Sequence, residues 1–135
     1  MNFIPIYLGL CIVTTGVILF YFFTPFKSKN IPKADTLFSD ALNALINGNK
    51  TKAISLLQQT VKQDTNHVKA YLQLGNVLRT HNTEQAIKIH QSLTVRPHLI
   101  AEQKVDIHKA LAKDYIEIGH TENAREEAKK ILSIE

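Results

Sequence analysis

The sequence lacks most of the residue patterns that mark an enzyme, a metalloprotein or a disulfide-bonded domain. A single cysteine, Cys11, occurs among 135 residues, which rules out a disulfide framework and a Cys-x-x-Cys metal or redox pair within the chain. No phosphate-binding glycine loop, Gly-x-Ser-x-Gly elbow or His-Glu-x-x-His zinc motif occurs either. We therefore expect that the chain is not an enzyme and that it needs no cofactor.

Charge is absent from the first part of the chain and mixed in the rest. No acidic or basic side chain precedes Lys27, and the net charge of +4 comes from the residues after Phe26. There the basic side chains are scattered among acidic ones and form no stripe with interleaved aromatic residues, so nucleic acid is not an expected ligand. The six histidines show no i,i+4 pairing, so no metal site is expected. His90 is instead expected to face the packing between helices.

The uncharged segment 3–23 predicts a transmembrane helix, because a run of this length spans roughly 30 Å as a helix. The alternatives are a cleaved signal peptide and a buried core helix, but the segment has neither a basic start nor a small-x-small cleavage site. Lys27, Lys29 and Lys33 follow it, which places the C-terminal part in the cytoplasm by the positive-inside rule. We predict a single-pass anchor over residues 1–26, with the N terminus outside.

After a short polar linker, residues 27–34, the apolar residues recur at helical spacing and the pattern then repeats. Ala53, Ala86 and Ala124 occupy equivalent positions 33 and 38 residues apart, close to the 34-residue period of tetratricopeptide repeats. We therefore predict an all-α fold, in which the N-terminal transmembrane helix is followed by a tetratricopeptide-repeat α-solenoid of about three helix pairs. The predicted repeats cover about 35–67, 68–98 and 101–135.

A generic helical bundle and a coiled coil are the alternatives for the repeat region. Glycines between the helices and the lack of an unbroken heptad argue against the coiled coil. In the predicted repeats, small or apolar residues lie where the two helices of a pair cross. These packing residues are Ala53, Leu74, Gly75, Ala86, Tyr115 and Ala124.

Stacked repeats usually bind partners on the face formed by the first helix of each pair. This face is expected to be apolar near the membrane and basic further out. Asn76, Lys109 and Lys113 resemble part of the carboxylate clamp of chaperone-binding repeats, although these lysines could also simply keep an exposed face solvated. The candidate groove residues are Leu42, Ile46, Lys69, Leu72, Asn76, Arg79, Lys109, Lys113 and Ile116.

The C-terminal end of the predicted array has no further helix to cover it. The last helix, about residues 122–133, is expected to turn Ala124, Ala128, Ile131 and Leu132 toward its own pair. Repeat arrays normally finish with a polar capping element. We therefore expect residues 34–135 to be marginally stable alone, and to self-associate or need a partner through the last repeat.

Three segments carry a resemblance to a known family: Lys62–Thr65, Leu74–Arg79 and Ala86–Gln91. They resemble the lipopolysaccharide assembly protein B family of bacterial inner-membrane proteins, in a likeness that extends from about Phe38 to Leu132. Members of that family have a membrane helix, cytoplasmic tetratricopeptide repeats and a zinc module whose four cysteines this chain lacks. They are adaptors that couple a membrane protease to a deacetylase of lipopolysaccharide synthesis. The resemblance implies an inner-membrane location and a related adaptor role.

Two hypotheses for function follow. The first is a membrane-anchored, cytoplasm-facing adaptor or scaffold that binds proteins, with a membrane protease or an envelope-biogenesis enzyme as the implied partner. The second is a structural subunit that docks permanently into a larger membrane complex through its repeats.

Overall fold

The computed structural model describes Thr14, Thr15 and residues 33–134. The predicted anchor, residues 1–26, lies outside the described residues apart from the two threonines, and so does most of the predicted linker. Among the described residues, no helix is both long enough and apolar enough to cross a membrane.

Within residues 33–134 all regular secondary structure is helical, as predicted. Consecutive helices pack against one another in pairs, the second helix of each pair packs on the first helix of the next, and the first helices of the second and third pairs also touch. This is the packing of a tetratricopeptide-like α-solenoid with three helix pairs. The helices are α1 Ala34–Ile46, α2 Lys50–Gln63, α3 Val68–Leu78, α4 Thr83–Thr94, α5 Ala101–Glu117 and α6 Thr121–Leu132.

The residues at the turns explain why the helices begin and end where they do. Gly48 and Gly119 follow α1 and α5 with φ angles of 73° and 74°, the left-handed conformation that commonly ends a helix. Asn49 and Asn82 then begin α2 and α4, because each side chain accepts a hydrogen bond from the backbone N–H three residues later, at 3.1 and 3.0 Å. These local signals position the second helix of a pair directly after the first.

Alanines at the helix crossings let the pairs approach closely. Ala41, Ala53, Ala70 and Ala86 are fully buried. One apolar cluster, which includes Ala41, Leu57, Leu74 and Ala86, joins the first two pairs. A second cluster of Leu93, Ile107 and Leu111 joins the second pair to the third. The predicted packing residues Ala53, Leu74, Gly75, Ala86 and Ala124 are buried, and Tyr115 is half-buried.

The last helix faces its partner differently from the prediction. Ala124 is buried, but Ala128 is exposed and Leu132 is 74% exposed. The other buried position of α6 is Glu127, whose Oε2 lies 2.6 Å from Nδ1 of His108 on α5. The expectation that Ala128 and Leu132 pack inward is therefore wrong, because a polar contact between α5 and α6 sets the rotation of the last helix.

The surface of α6 that faces away from α5 is charged, whereas the corresponding surface of α4 is apolar. Aligning Ala124 with Ala86 puts Arg125 at the position of Ile87, which packs against the second apolar cluster. The ammonium group of Lys129 donates a hydrogen bond to Glu126 and lowers the pKa of that carboxyl group below its ordinary value. Two exposed charged pairs one turn apart therefore cover much of this surface, namely Glu122 with Arg125 and Glu126 with Lys129.

Candidate protein-binding surface

The predicted groove residues lie on α1, α3 and α5, apart from Arg79, which directly follows α3. We call the surface that these helices form the first-helix face. Ile46 and Ile116 are 82% and 63% exposed, so two large apolar side chains of this face are open to solvent. The three lysines are also exposed, whereas the remaining residues are half-buried. The exposed lysines are Lys69, Lys109 and Lys113, and the half-buried residues are Leu42, Leu72, Asn76 and Arg79.

Two of the groove residues, Lys69 and Leu72, line one cavity of about 90 Å³ between the N-terminal parts of α3 and α5. We call this cavity the seam cleft. Acidic side chains from α5 share it with Lys69, so the charge in this part of the first-helix face is mixed. The full lining is Val68, Lys69, Leu72, Ile100, Glu102, Gln103 and Asp106.

Glu102 and Asp106 were not among the groove residues predicted from the sequence. The sequence contained one indication of them. Asp106 precedes the predicted groove residue Lys109 by one helical turn, and residues three apart share a face of a helix. What the sequence does not show is that the first turns of α5 lie beside Lys69 on α3. That proximity depends on how the second and third helix pairs stack.

Arg79 stabilises the packing of α3 on α5 and does not present a free charge to a ligand. Its Nε donates to Asp114 Oδ1 at 2.5 Å, and its Nη2 donates to Asn76 Oδ1 at 2.8 Å and to the Ala110 carbonyl oxygen at 3.3 Å. Asp114 is fully buried, and a buried carboxylate needs a charged or hydrogen-bonding partner. Arg79 and Asn76 thus bind each other within the packed helices, and their part in a ligand-binding groove stays a prediction.

A buried histidine completes this network. His90 on α4 is fully buried; its Nδ1 lies 2.5 Å from Asp114 Oδ2, and its Nε2 lies 3.2 Å from the Leu72 carbonyl oxygen. A Cβ atom added at Gly75 would lie only 2.3 Å from Nε2, so the ring fills the space that the glycine leaves. One side chain thus connects α3, α4 and α5, which agrees with the structural role expected for His90.

Two further histidines pair with carboxylates across helix contacts. His108 contacts Glu127 as described above, and His67 Nε2 lies 3.6 Å from Asp35 Oδ1. The His67 ring also packs on Phe38, with 4.7 Å between ring centroids. No group of three or more potential metal ligands occurs within the described part of the chain. The His108 contact joins α5 to α6, and the His67 contacts join the start of α3 to α1, so both histidines are accounted for as packing residues.

The loop between α4 and α5 borders a second, more open cleft of about 510 Å³, which shares Val68 and Gln103 with the seam cleft. Arg96 stacks over the Tyr71 ring, 4.2 Å from its centroid, and donates to the Thr65 carbonyl oxygen at 2.7 Å. These contacts tie the loop to the start of α3. Two arginines therefore hold α5 next to α3. Arg96 acts near the N-terminal end of α5, and Arg79 acts near its C-terminal end.

The fold and this surface define a class: a tetratricopeptide-like repeat protein whose first helices form an accessible face. The sequence is similar to lipopolysaccharide assembly protein B of Escherichia coli (strain K12), with 34% identity over 86 residues, 63% of this chain and 22% of that protein. The protein of the same name from Haemophilus influenzae is 30% identical over 92 residues, 62% of this chain and 23% of its own length. The predicted resemblance to lipopolysaccharide assembly protein B is therefore confirmed. The match spans little more than a fifth of these relatives.

Comparison with solved structures supports the fold. The crystal structure of MamA protein superimposes with a TM-score of 0.65 over 76% of this chain and 54% of that chain, at 20% sequence identity. At that identity the likeness shows the α-solenoid fold alone. No protein-family model matches the sequence.

Proposed function

We propose that this chain is a protein-binding adaptor in lipopolysaccharide assembly and that it binds its partners on the first-helix face. The observation that carries the proposal is the exposure of large apolar side chains on this face, at Ile46 and Ile116, together with the seam cleft. Exposed apolar side chains and clefts with an apolar lining are both typical of binding surfaces. The similarity to proteins named for lipopolysaccharide assembly supports the process in which the adaptor acts.

The proposal is tested by reversing charge at two exposed lysines of the first-helix face. We expect Lys109→Glu with Lys113→Glu to reduce the partner protein recovered with the tagged chain from solubilised membranes, while the helical circular dichroism signal stays unchanged. A matched control reverses Lys62 and Lys88, which are exposed on the second helices α2 and α4. Equal recovery with both double variants would contradict a role of Lys109 and Lys113 in partner binding.

The proposal includes an anchor over residues 1–26 in the bacterial inner membrane, with the repeats in the cytoplasm. The support is the uncharged segment followed by Lys27, Lys29 and Lys33. We expect a cytoplasm-dependent reporter fused after Glu135 to be active and a periplasm-dependent one to be inactive. The opposite pattern would overturn the orientation. Recovery of the chain in the soluble fraction would overturn the anchor itself.

A structural subunit of a larger membrane complex is the second candidate, and the exposed apolar strip of Ala128 and Leu132 on α6 favours it. The same strip is where self-association through the last repeat is proposed. Purification from solubilised membranes separates the candidates, since a fixed-ratio partner indicates a subunit and sub-stoichiometric clients indicate an adaptor. A second copy at the strip would give a dimer that Leu132→Ser disrupts.

A further inference from the structure

We propose that the seam cleft binds a partner segment in which an apolar side chain lies between an acidic and a basic residue. The apolar side chain enters the cleft, the basic residue pairs with Glu102 and Asp106 on α5, and the acidic residue pairs with Lys69 on α3. This inference rests on the proposed function and specifies the chemistry of the partner.

The apolar part of the cleft comes from both helices. Val68 and Leu72 are half-buried on α3, and Ile100 is 58% exposed directly before α5. Ile100 occupies the N-cap position, where serine, aspartate or asparagine usually cap the helix. Its backbone N–H is bound instead by Gln103 Oε1 at 3.1 Å, and its side chain makes no capping hydrogen bond. Helix capping therefore does not explain the isoleucine, whereas contact with an apolar partner group would stabilise it by removing it from water.

The two acidic groups of the cleft are available to a ligand. Glu102 and Asp106 are exposed, and neither forms a hydrogen bond or an ion pair with another of the residues described here. They lie four residues apart on one helix, where like charges repel. The helix dipole favours Glu102 in the first turn, but Asp106 lies a turn further along. A cationic side chain bound between the two carboxylates would remove their repulsion.

The opposite wall carries the opposite charge. Lys69 is exposed on α3 and makes no ion pair within 4.0 Å in the part of the chain that the structure describes. An incoming segment therefore meets a cation on one side of the apolar cavity and two carboxylates on the other. This asymmetry fixes the direction in which a segment with both charges binds.

A purely acidic segment fits this site less well than a mixed one. It would be repelled by Glu102 and Asp106, and the groups that could compensate further along α3 are engaged, because Asn76 binds Arg79 and Arg79 binds Asp114. The lysines of α5, Lys109 and Lys113, lie outside the lining of the cleft. The charge pattern thus favours the mixed segment over an acidic tail.

Selection of phage-displayed linear peptides on the full chain in detergent micelles tests the inference. We expect enriched peptides to carry an apolar residue with lysine or arginine on one side and aspartate or glutamate on the other. Synthetic copies should bind E102Q/D106N about 2- to 30-fold more weakly, the effect of two exposed ion pairs, and should bind less tightly at high salt. The matched control is E84Q/E117Q, which neutralises two exposed carboxylates outside the cleft.

A second variant tests the apolar contact without disturbing the core. Ile100→Ser should weaken the same peptides and leave the circular dichroism spectrum unchanged, since the side chain is largely exposed. Enrichment of acidic peptides that need Lys109 and Lys113 but tolerate E102Q/D106N would overturn the inference and leave the proposed function intact. A dimer lost in Ile100→Ser would show that a second copy occupies the cleft, which also overturns it. Both proposals would be contradicted if the selected peptides bound every variant of the first-helix face as tightly as the wild-type chain. A selection that enriches no peptide would also contradict both.

Discussion

Replacing Gly75 by alanine is expected to destabilise the chain by about 3 kcal/mol, the upper part of the range for overpacking a core. The added Cβ would lie 2.3 Å from Nε2, 2.6 Å from Cε1 and 2.9 Å from Cδ2 of His90. The ring cannot easily move aside, because it is fully buried and both of its nitrogens contact oxygens. Alanine favours a helix over glycine by only about 1 kcal/mol, so the steric clash decides the sign. Urea unfolding of the full chain in micelles, followed by circular dichroism, measures the change.

Gly119→Ala is the control for the same chemical change without the clash. A Cβ atom at Gly119 would meet nothing within 4 Å, but the residue has a φ of 74°, so only local strain of about 1–2 kcal/mol is expected. Combining Gly75→Ala with His90→Ala should show coupling, because removing the ring makes room for the new methyl group. If Gly75→Ala unfolds at the wild-type urea concentration, the His90 ring does not determine the close approach of α3 and α4.

Replacing Asp114 by alanine is expected to cost about 3–5 kcal/mol, the range for breaking a buried ion pair by removing one partner. The carboxylate is fully buried and contacts both Arg79 and His90. Without it, the Arg79 guanidinium loses its charged partner at the contact of α3 with α5, and His90 Nδ1 loses its contact with Asp114 Oδ2. Urea unfolding measures the stability. Peptide binding at the seam cleft should also weaken, because the position of α5 beside α3 depends on this contact.

Glu122→Ala provides the matched control, since it also removes one carboxylate from an ion pair with arginine. Glu122 and Arg125 are 68% and 65% exposed, and an exposed pair contributes only about 0–1 kcal/mol. Asp114→Asn separates charge from volume, because the amide fills the same space but cannot neutralise Arg79. Equal midpoints for Asp114→Ala and Glu122→Ala would mean that the buried network does not stabilise the solenoid.

The candidate site was only partly predictable from the sequence. Lys69 and Leu72 were selected from the repeat pattern, and the structure places them in one cleft. Glu102 and Asp106 were missed because a repeat pattern aligns equivalent positions but does not measure the distance between neighbouring first helices. Arg79 was assigned to the groove because its position in the repeat pattern is one that faces the groove. The buried Asp114 that binds it lies 35 residues further along the chain.

The sequence by itself determined the helices and their pairing. The recurrence of Ala53, Ala86 and Ala124 marks the second helix of each pair. Hydrophobic periodicity and the turn residues Gly48 and Gly119 act within one helix pair, and local backbone preferences are enough to express them.

Only the tertiary structure decided which polar groups are buried between the pairs. His90 meets Asp114 and His108 meets Glu127 at separations of 24 and 19 residues, and each contact depends on how far one helix rotates and slides against the next. A rotation of α6 by one position exchanges Ala128 for Glu127 in the buried face. Both choices satisfy a helical pattern, so the contact with His108 on the neighbouring helix was needed to select between them.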